Sequence, residues 1–235
     1  MKKAILHWST GKDAAYVLYQ VEQAGTYDIV CLSTTVQQEL NRVSMHGIRR
    51  ELLLRQVAAL KRELQLDLVE IPNPLSAMEY KSIMGKRALL YKKEGIQHHV
   101  YGDILLTDLK EYREQQLNEL ALTAVFPLWQ KPTASLLIDM VEAGFKAVVV
   151  CVNEQHLDKS FLGRTINQQF LKDLPTAVDP CGENGEFHTF VYDGPIFKKT
   201  VDFKVGESVY KTYDAPTSTE GETAKKYGFW FLDLL

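Results

Sequence analysis

Short apolar runs at residues 4–8, 29–34, 66–71, 98–104 and 147–152 alternate with longer amphipathic stretches, and no other feature of the chain restricts its fold as much. Apolar runs of this length read as strands, while residues 12–24, 48–65, 74–94, 108–124 and 133–143 carry the spacing of amphipathic helices. Strands joined by helices run parallel, so the expectation is an α/β fold with a central parallel sheet covered on both faces. The run Ala147-Val148-Val149-Val150-Cys151-Val152 is nearly unbroken in its apolarity, which fits a strand of that sheet buried on both sides. Gly25, Gly95 and Gly144 fall just past three of the helical stretches, where a left-handed cap residue is expected.

Beyond residue 152 the character changes. Residues 161–171 read as one more helix, residues 179–186 are rich in turn formers, and residues 187–192, 199–205, 207–214 and 229–232 are strand-like. The expectation is a division into a first domain at residues 1–153 and a small α+β domain at residues 154–235. Residues 215–223, rich in Thr, Ser and Glu, read as a mobile loop.

Composition removes several function classes. A formal net charge of -3 over 235 residues supplies no overall attraction to nucleic acid or to an anionic membrane surface. Cys31, Cys151 and Cys181 are far apart and form no CxxC pair, which argues against a disulfide framework, a thiolate zinc site and sulfur transfer to RNA. No apolar run reaches the length of a membrane span, and a cytoplasmic protein is expected, with no metal held by protein side chains alone.

The first apolar run leads at once into Ser9-Thr10-Gly11-Lys12-Asp13-Ala14 and then into a helical stretch. Such a junction aims free backbone N–H groups and the positive end of a helix at one point, which suits a phosphate. Ser9 and Thr10 add hydroxyls, Gly11 allows close approach, and Lys12 can neutralise the charge of a leaving pyrophosphate. This turn resembles the signature of the PP-loop ATP pyrophosphatases, SGGxDS. Thr10 stands at the second position of that signature, where it has its first glycine, and Ala14 where it has its last serine. The Walker A spacing is absent.

A second cluster lies in Asp179-Pro180-Cys181-Gly182-Glu183-Asn184-Gly185-Glu186-Phe187-His188-Thr189. Strand alternation from Glu186 onward would turn Glu186 and His188 to the same side. A carboxylate beside an imidazole can orient it, meet a phosphate-bound cation or manage a proton.

The string GENGEFHTFVYDGPIF resembles the hallmark of the diphthine–ammonia ligase family of PP-loop proteins, and Gly102-Asp103, Tyr112-Arg113-Glu114 and Pro127-Leu128-Trp129 fall in that family's order. The resemblance implies a HUP-type, Rossmann-like nucleotide-binding domain with ATP at the C-terminal edge of its sheet, beside a C-terminal substrate-binding domain. It further implies that a carboxylate is adenylated at the α-phosphate of ATP and then meets ammonia, with Mg²⁺ held through the phosphates. On that reading Ser9, Thr10, Gly11, Lys12, Asp13, Ser33, Thr34, Gly102 and Asp103 bind nucleotide. His46, Arg113, Asn184 and Thr189 meet the substrate, and Lys12, Glu183, Glu186 and His188 are catalytic. The compact chain looks like a bacterial-type member, and its substrate would be a small-molecule or protein-borne carboxylate with ammonium. Two alternatives stay open: a PP-loop enzyme acting on another small molecule or a nucleobase, and a non-catalytic ATP-binding module. The aromatic run Phe229-Trp230-Phe231 fits a homodimer contact as readily as the chain's own core.

Overall fold

The structure, a computed structural model, describes residues 1–214 and 226–235. The loop expected at residues 215–223 lies outside the described residues.

The chain opens with β1 (Lys2–His7), α1 (Lys12–Ala24), β2 (Tyr27–Gln37), β3 (Arg42–Val43), α2 (Arg50–Ala58), β4 (Gln65–Ile71), α3 (Ala77–Lys93), β5 (His98–Val100), α4 (Thr107–Asn118), β6 (Thr123–Val125) and α5 (Thr133–Glu142). It continues with β7 (Lys146–Asn153), a 3-10 turn at Lys159–Phe161, α6 (Gln168–Asp173), β8 (Phe187–Asp193), β9 (Val205–Asp214) and β10 (Lys226–Leu234).

β4, β2, β1, β5 and β6 run parallel in that order, and β3 is hydrogen-bonded antiparallel to the far end of β2. The α/β, Rossmann-like expectation holds. Ala4 and Leu6 of β1 pack on the face that α1 covers with Ala14, Ala15, Val17, Leu18 and Val21, all buried. Ile5, on the other face, meets Tyr91 of α3 and Ile96. Gly25 ends α1 at φ 61°, its N–H donating to Val21 O, as a left-handed cap requires. Ser76 starts α3 with a full capping box to Glu79.

The second sheet is antiparallel in the order β8-β7-β10-β9. The apolar strand expected in the first sheet is β7, and it pairs here instead, between β8 and β10. A continuous apolar run reports burial on both faces and carries no information about strand direction. The division expected after residue 153 therefore falls at the end of a strand whose partners all lie beyond it.

Other boundaries also differ. Residues 199–204 form no strand, and their backbone bonds instead reach Tyr192 and Leu235. The helix expected to residue 124 stops at Asn118, because Ala121 takes a left-handed turn at φ 52° and feeds β6. The one helix expected at 161–171 becomes the 3-10 turn and α6, separated by Gly163 at φ 81°. No helix of the described residues is long and apolar enough to cross a membrane.

Candidate functional site

β1 ends at His7, and the chain turns through Ser9, Thr10 and Gly11 into α1. Thr10 takes φ 71°, and Gly11 caps α1 without any side-chain bond. The first-turn amides of a helix lack intrahelical acceptors. Here the Lys12 amide donates to Thr189 Oγ1 of β8 at 3.1 Å, so the second sheet caps the first sheet's helix. Lys12 Nζ donates to Asp13 Oδ2 at 2.9 Å and to the Cys181 carbonyl, and lies 5.4 Å from the centre of the Phe187 ring. Burial works against its charge, but Asp13 and the other groups around it outweigh burial and raise its pKa, so the ammonium persists. Two glycines make room for this packing. A Cβ on Gly11 would stand 2.6 Å from His46 Cε1, and one on Gly102 would stand 3.3 Å from both Asp13 Cβ and Ala14 N.

Gln56 of α2 anchors the turn from behind. Its Oε1 accepts from Trp8 Nε1 at 2.9 Å, and its Nε2 donates to the carbonyls of Thr10 at 2.9 Å and Val191 at 2.6 Å. Thr10 O also accepts from Val191 N at 3.0 Å.

A cavity of about 710 Å³ opens at the C-terminal edge of the parallel sheet, where such folds place ligands. Ser9, Lys12, Asp13, Ser33, Gly102 and Asp103 line it from the first sheet. His46, Arg113, Glu183, Asn184, His188 and Thr189 line it as well, so the two sequence clusters meet at one place. Four expected residues do not line it, Gly11 among them. Thr10 is fully buried with Oγ1 unpartnered, and Thr34 points to the other face of β2, where its Oγ1 is also buried and unpartnered. Alternation brings Thr35 beside Ser33 in its place. Glu186, 1 % exposed, is turned inward: Oε1 accepts from Asp179 N at 2.9 Å and Asn184 Nδ2 at 3.0 Å, and Oε2 from Asn184 N at 2.8 Å. It braces the 179–186 loop, and the expected common side for Glu186 and His188 does not occur, because β8 begins only at Phe187.

Glu183 reaches across to the first sheet, its Oε2 accepting from the amides of Ile104 at 2.9 Å and Leu105 at 3.2 Å. Burial, then the nearby Asp13 charge, pushes its carboxyl up to about 7. His46 Nδ1 lies 3.0 Å from Thr189 O, and its ring packs against His188 at 4.7 Å between centres. Burial lowers both imidazoles, His46 to about 4, so both are neutral near pH 7. Arg113 Nε lies 3.2 Å from Asp103 Oδ2, and its guanidinium sits 4.3 Å over the Tyr101 ring.

His7, Trp8, Tyr80 and Tyr101 also line the cavity and had no place in the sequence reading. His7 and Tyr101 directly end their strands, and the rule that ligands gather at strand C-termini would have singled them out. Nothing in the sequence marks Tyr80, which arrives from the middle of a helix turn.

The donors fit a polyphosphate: a buried ammonium, a hydroxyl and the N-terminal end of α1 converge on one wall. Asp13 Oδ1 is buried and unpartnered beside them, a free carboxylate oxygen suited to a phosphate-bound cation. Among the described residues no group of three or more His, Cys, Asp or Glu is placed to hold a metal by itself.

Fold and site together define a Rossmann-like α/β protein whose first strand-to-helix turn is closed by a C-terminal antiparallel sheet. Residues 132–219 match the family described as the diphthamide synthase C-terminal domain. The chain is 28% identical over 228 residues to the diphthine–ammonia ligase of Homo sapiens, covering 88% of this chain and 85% of that protein. It is 33% identical over 133 residues to that of Rattus norvegicus, covering 54% of this chain and 49% of the relative, about half its length. It is 36% identical over 104 residues to that of Schizosaccharomyces pombe (strain 972 / ATCC 24843), covering 43% of this chain and 17% of the relative. Along most of its length the chain is therefore similar to a diphthine–ammonia ligase.

Proposed function

We propose that this protein is an ATP-dependent, cytoplasmic amide ligase that adenylates a small-molecule or protein-borne carboxylate and passes the acyl group to ammonia. The observation that carries this reading is the seating of the 181–189 segment on the Lys12 turn, through Thr189 Oγ1 and the Cys181 carbonyl, around one shared cavity.

The substrate carboxylate oxygen attacks the α-phosphorus, and the bond to pyrophosphate breaks. Lys12 and the positive N-terminal end of α1 hold the charge that collects on the departing oxygens. Mg²⁺ carried by the phosphates would neutralise part of that charge, with Asp13 Oδ1 free to face it. Ammonia then attacks the acyl carbon, the carbon–oxygen bond to AMP breaks, and the nitrogen loses a proton. Glu183, with a carboxyl pushed up to about 7 and only Oε2 tied to backbone amides, is the group suited to take that proton. Ser33 faces the adenosine, His46, His188, Arg113 and Asn184 orient the carboxylate, and Glu186 keeps the 179–186 loop in shape.

Carboxylate-dependent exchange of labelled pyrophosphate into ATP, followed by amide formation with ammonium, is the test. Lys12→Ala is expected to lower exchange at least about 100-fold. ATP that binds but yields neither AMP nor pyrophosphate with any carboxylate of a broad panel would reduce the protein to a nucleotide-binding module.

A further inference from the structure

A second, smaller cavity of about 80 Å³ lies between α3 and α4 over the sheet face that carries His7, His99 and Tyr101. It borders the main cavity, because His7, Tyr80, Met84, Tyr101, Leu109 and Arg113 line both. Its size suits a few molecules as small as water or ammonia. Most of its polar wall groups already have partners within the fold. Tyr91 donates to Asp67 and accepts from Ser33 Oγ, Arg87 pairs with Asp67 at 3.2 Å, and Arg113 Nε faces Asp103 Oδ2 at 3.2 Å as a charge contact.

His99 differs. Its ring is 1 % exposed, its Nδ1 lies 3.1 Å from His7 Nε2, and its Nε2 has no partner although buried polar atoms nearly always find one. Gly85 adds an independent observation. It sits inside α3 on the wall of this crevice, has no positive φ, and a Cβ there would meet nothing within 4 Å. A mid-helix glycine costs about 1 kcal/mol relative to alanine, and the structure offers no backbone or packing reason for it. What it does is leave open space at the crevice.

We propose that this crevice is the ammonia subsite of the ligase reaction, with His99 Nε2 as its polar anchor and Gly85 keeping it open; the inference rests on the function proposed above. The occupant is neutral ammonia. The guanidiniums of Arg87 and Arg113 in the wall oppose a cation, and burial lowers His99 to about 4, so that ring meets its guest uncharged. Ammonia both donates and accepts, so it satisfies Nε2 in either tautomer of the His7–His99 pair. From here its way into the main cavity passes His7 and Tyr101, which line both.

The test uses the full chain with ¹⁵N-labelled histidine. Ammonium chloride at pH 9, where much of it is free base, is expected to shift the His99 Nε2 resonance saturably, and at pH 7 the same shift needs at least tenfold more total ammonium. Potassium chloride is expected to leave it in place. Gly85→Leu fills the space and abolishes the shift. The same variant raises KM for ammonium at least tenfold while carboxylate-dependent pyrophosphate exchange, which needs no ammonia, stays at the wild-type rate. No saturable shift, a shift that potassium reproduces, or one that follows total ammonium equally at both pH values overturns the proposal. So does an unchanged ammonium KM in Gly85→Leu. Absence of exchange in the wild type would sink the ligase reading alone, because the titration decides the crevice without it.

Discussion

Thr10 holds a conformation its own side chain resists. A β-branched residue at φ 71° costs on the order of 1–2 kcal/mol, and its buried hydroxyl finds no partner. Gln56 and Val191 hold its carbonyl in place, and the glycine in the PP-loop signature has its physical reason here. Thr10→Gly is therefore expected to raise stability by about 1 kcal/mol after the lost methyl contacts and the freer unfolded chain are subtracted. The urea midpoint should rise at constant m-value, and a lower midpoint would contradict the account. Thr10 was legible as a departure from a signature. Gln56 was not, because a glutamine on a helix has no pattern that reveals three partners from distant segments. Glu183 supplies a pH signature. Its folded pKa of about 7 exceeds its ordinary 4.5, so between those values the native state keeps a proton that the unfolded state has released. Stability then falls as pH rises through that window. Glu183→Gln should flatten this slope between pH 4.5 and 7 in urea titrations, and an unchanged slope would mean that another group titrates there.

At the scale of elements, the strands and helices of the first sheet could be read from periodicity because each buries one face and exposes another. β7 could not be assigned to its sheet that way. Its burial is complete on both faces, and the choice between sheets was made by pairing with β8 and β10, which no local pattern encodes. The short strands β3 and β6 were missed for a related reason: two or three residues are too few for alternation to show. The contact of α1 with β8 is the element-level event that assembles the site. Thr189→Val keeps the shape and removes the oxygen that caps the Lys12 amide, so a loss of about 1 kcal/mol is expected. Gln56→Leu should cost more, about 2–3 kcal/mol, because Trp8 Nε1 and the Val191 carbonyl lose a buried partner together. Urea denaturation of both variants checks the order, and a Thr189→Val loss larger than that of Gln56→Leu would place the clasp elsewhere.

Across the whole molecule, the two sheets are also joined at a second point, far from Lys12 in sequence. Asp233 of β10 accepts from Arg42 Nη1 at 2.8 Å and from Arg49 through Nε at 3.0 Å and Nη2 at 2.6 Å. The hydrogen bond from Arg49, then that from Arg42, outweigh burial and hold the Asp233 carboxyl down at about 2. Its folded pKa lies below the ordinary 3.8, so the stabilisation is complete above that value and is lost as pH falls towards 2. The Asp233 side chain is 16% exposed, but the arginines are 27% and 39% exposed, so solvent screening reduces the pair's worth to about 1–2 kcal/mol. Asp233→Asn should lose that amount at pH 7 and lose less than the wild type between pH 5 and pH 2, so the two stability curves converge in acid. Parallel curves would show that the clasp contributes nothing through its charge. Arg42 and Arg49 flank His46 in the chain, so a clasp that opens in acid also loosens the segment holding His46 against Thr189. Under the proposed function, Asp233→Asn should for that reason raise KM for the carboxylate at pH 7 while leaving ATP affinity close to wild type, since the Lys12 amide keeps its own link to β8.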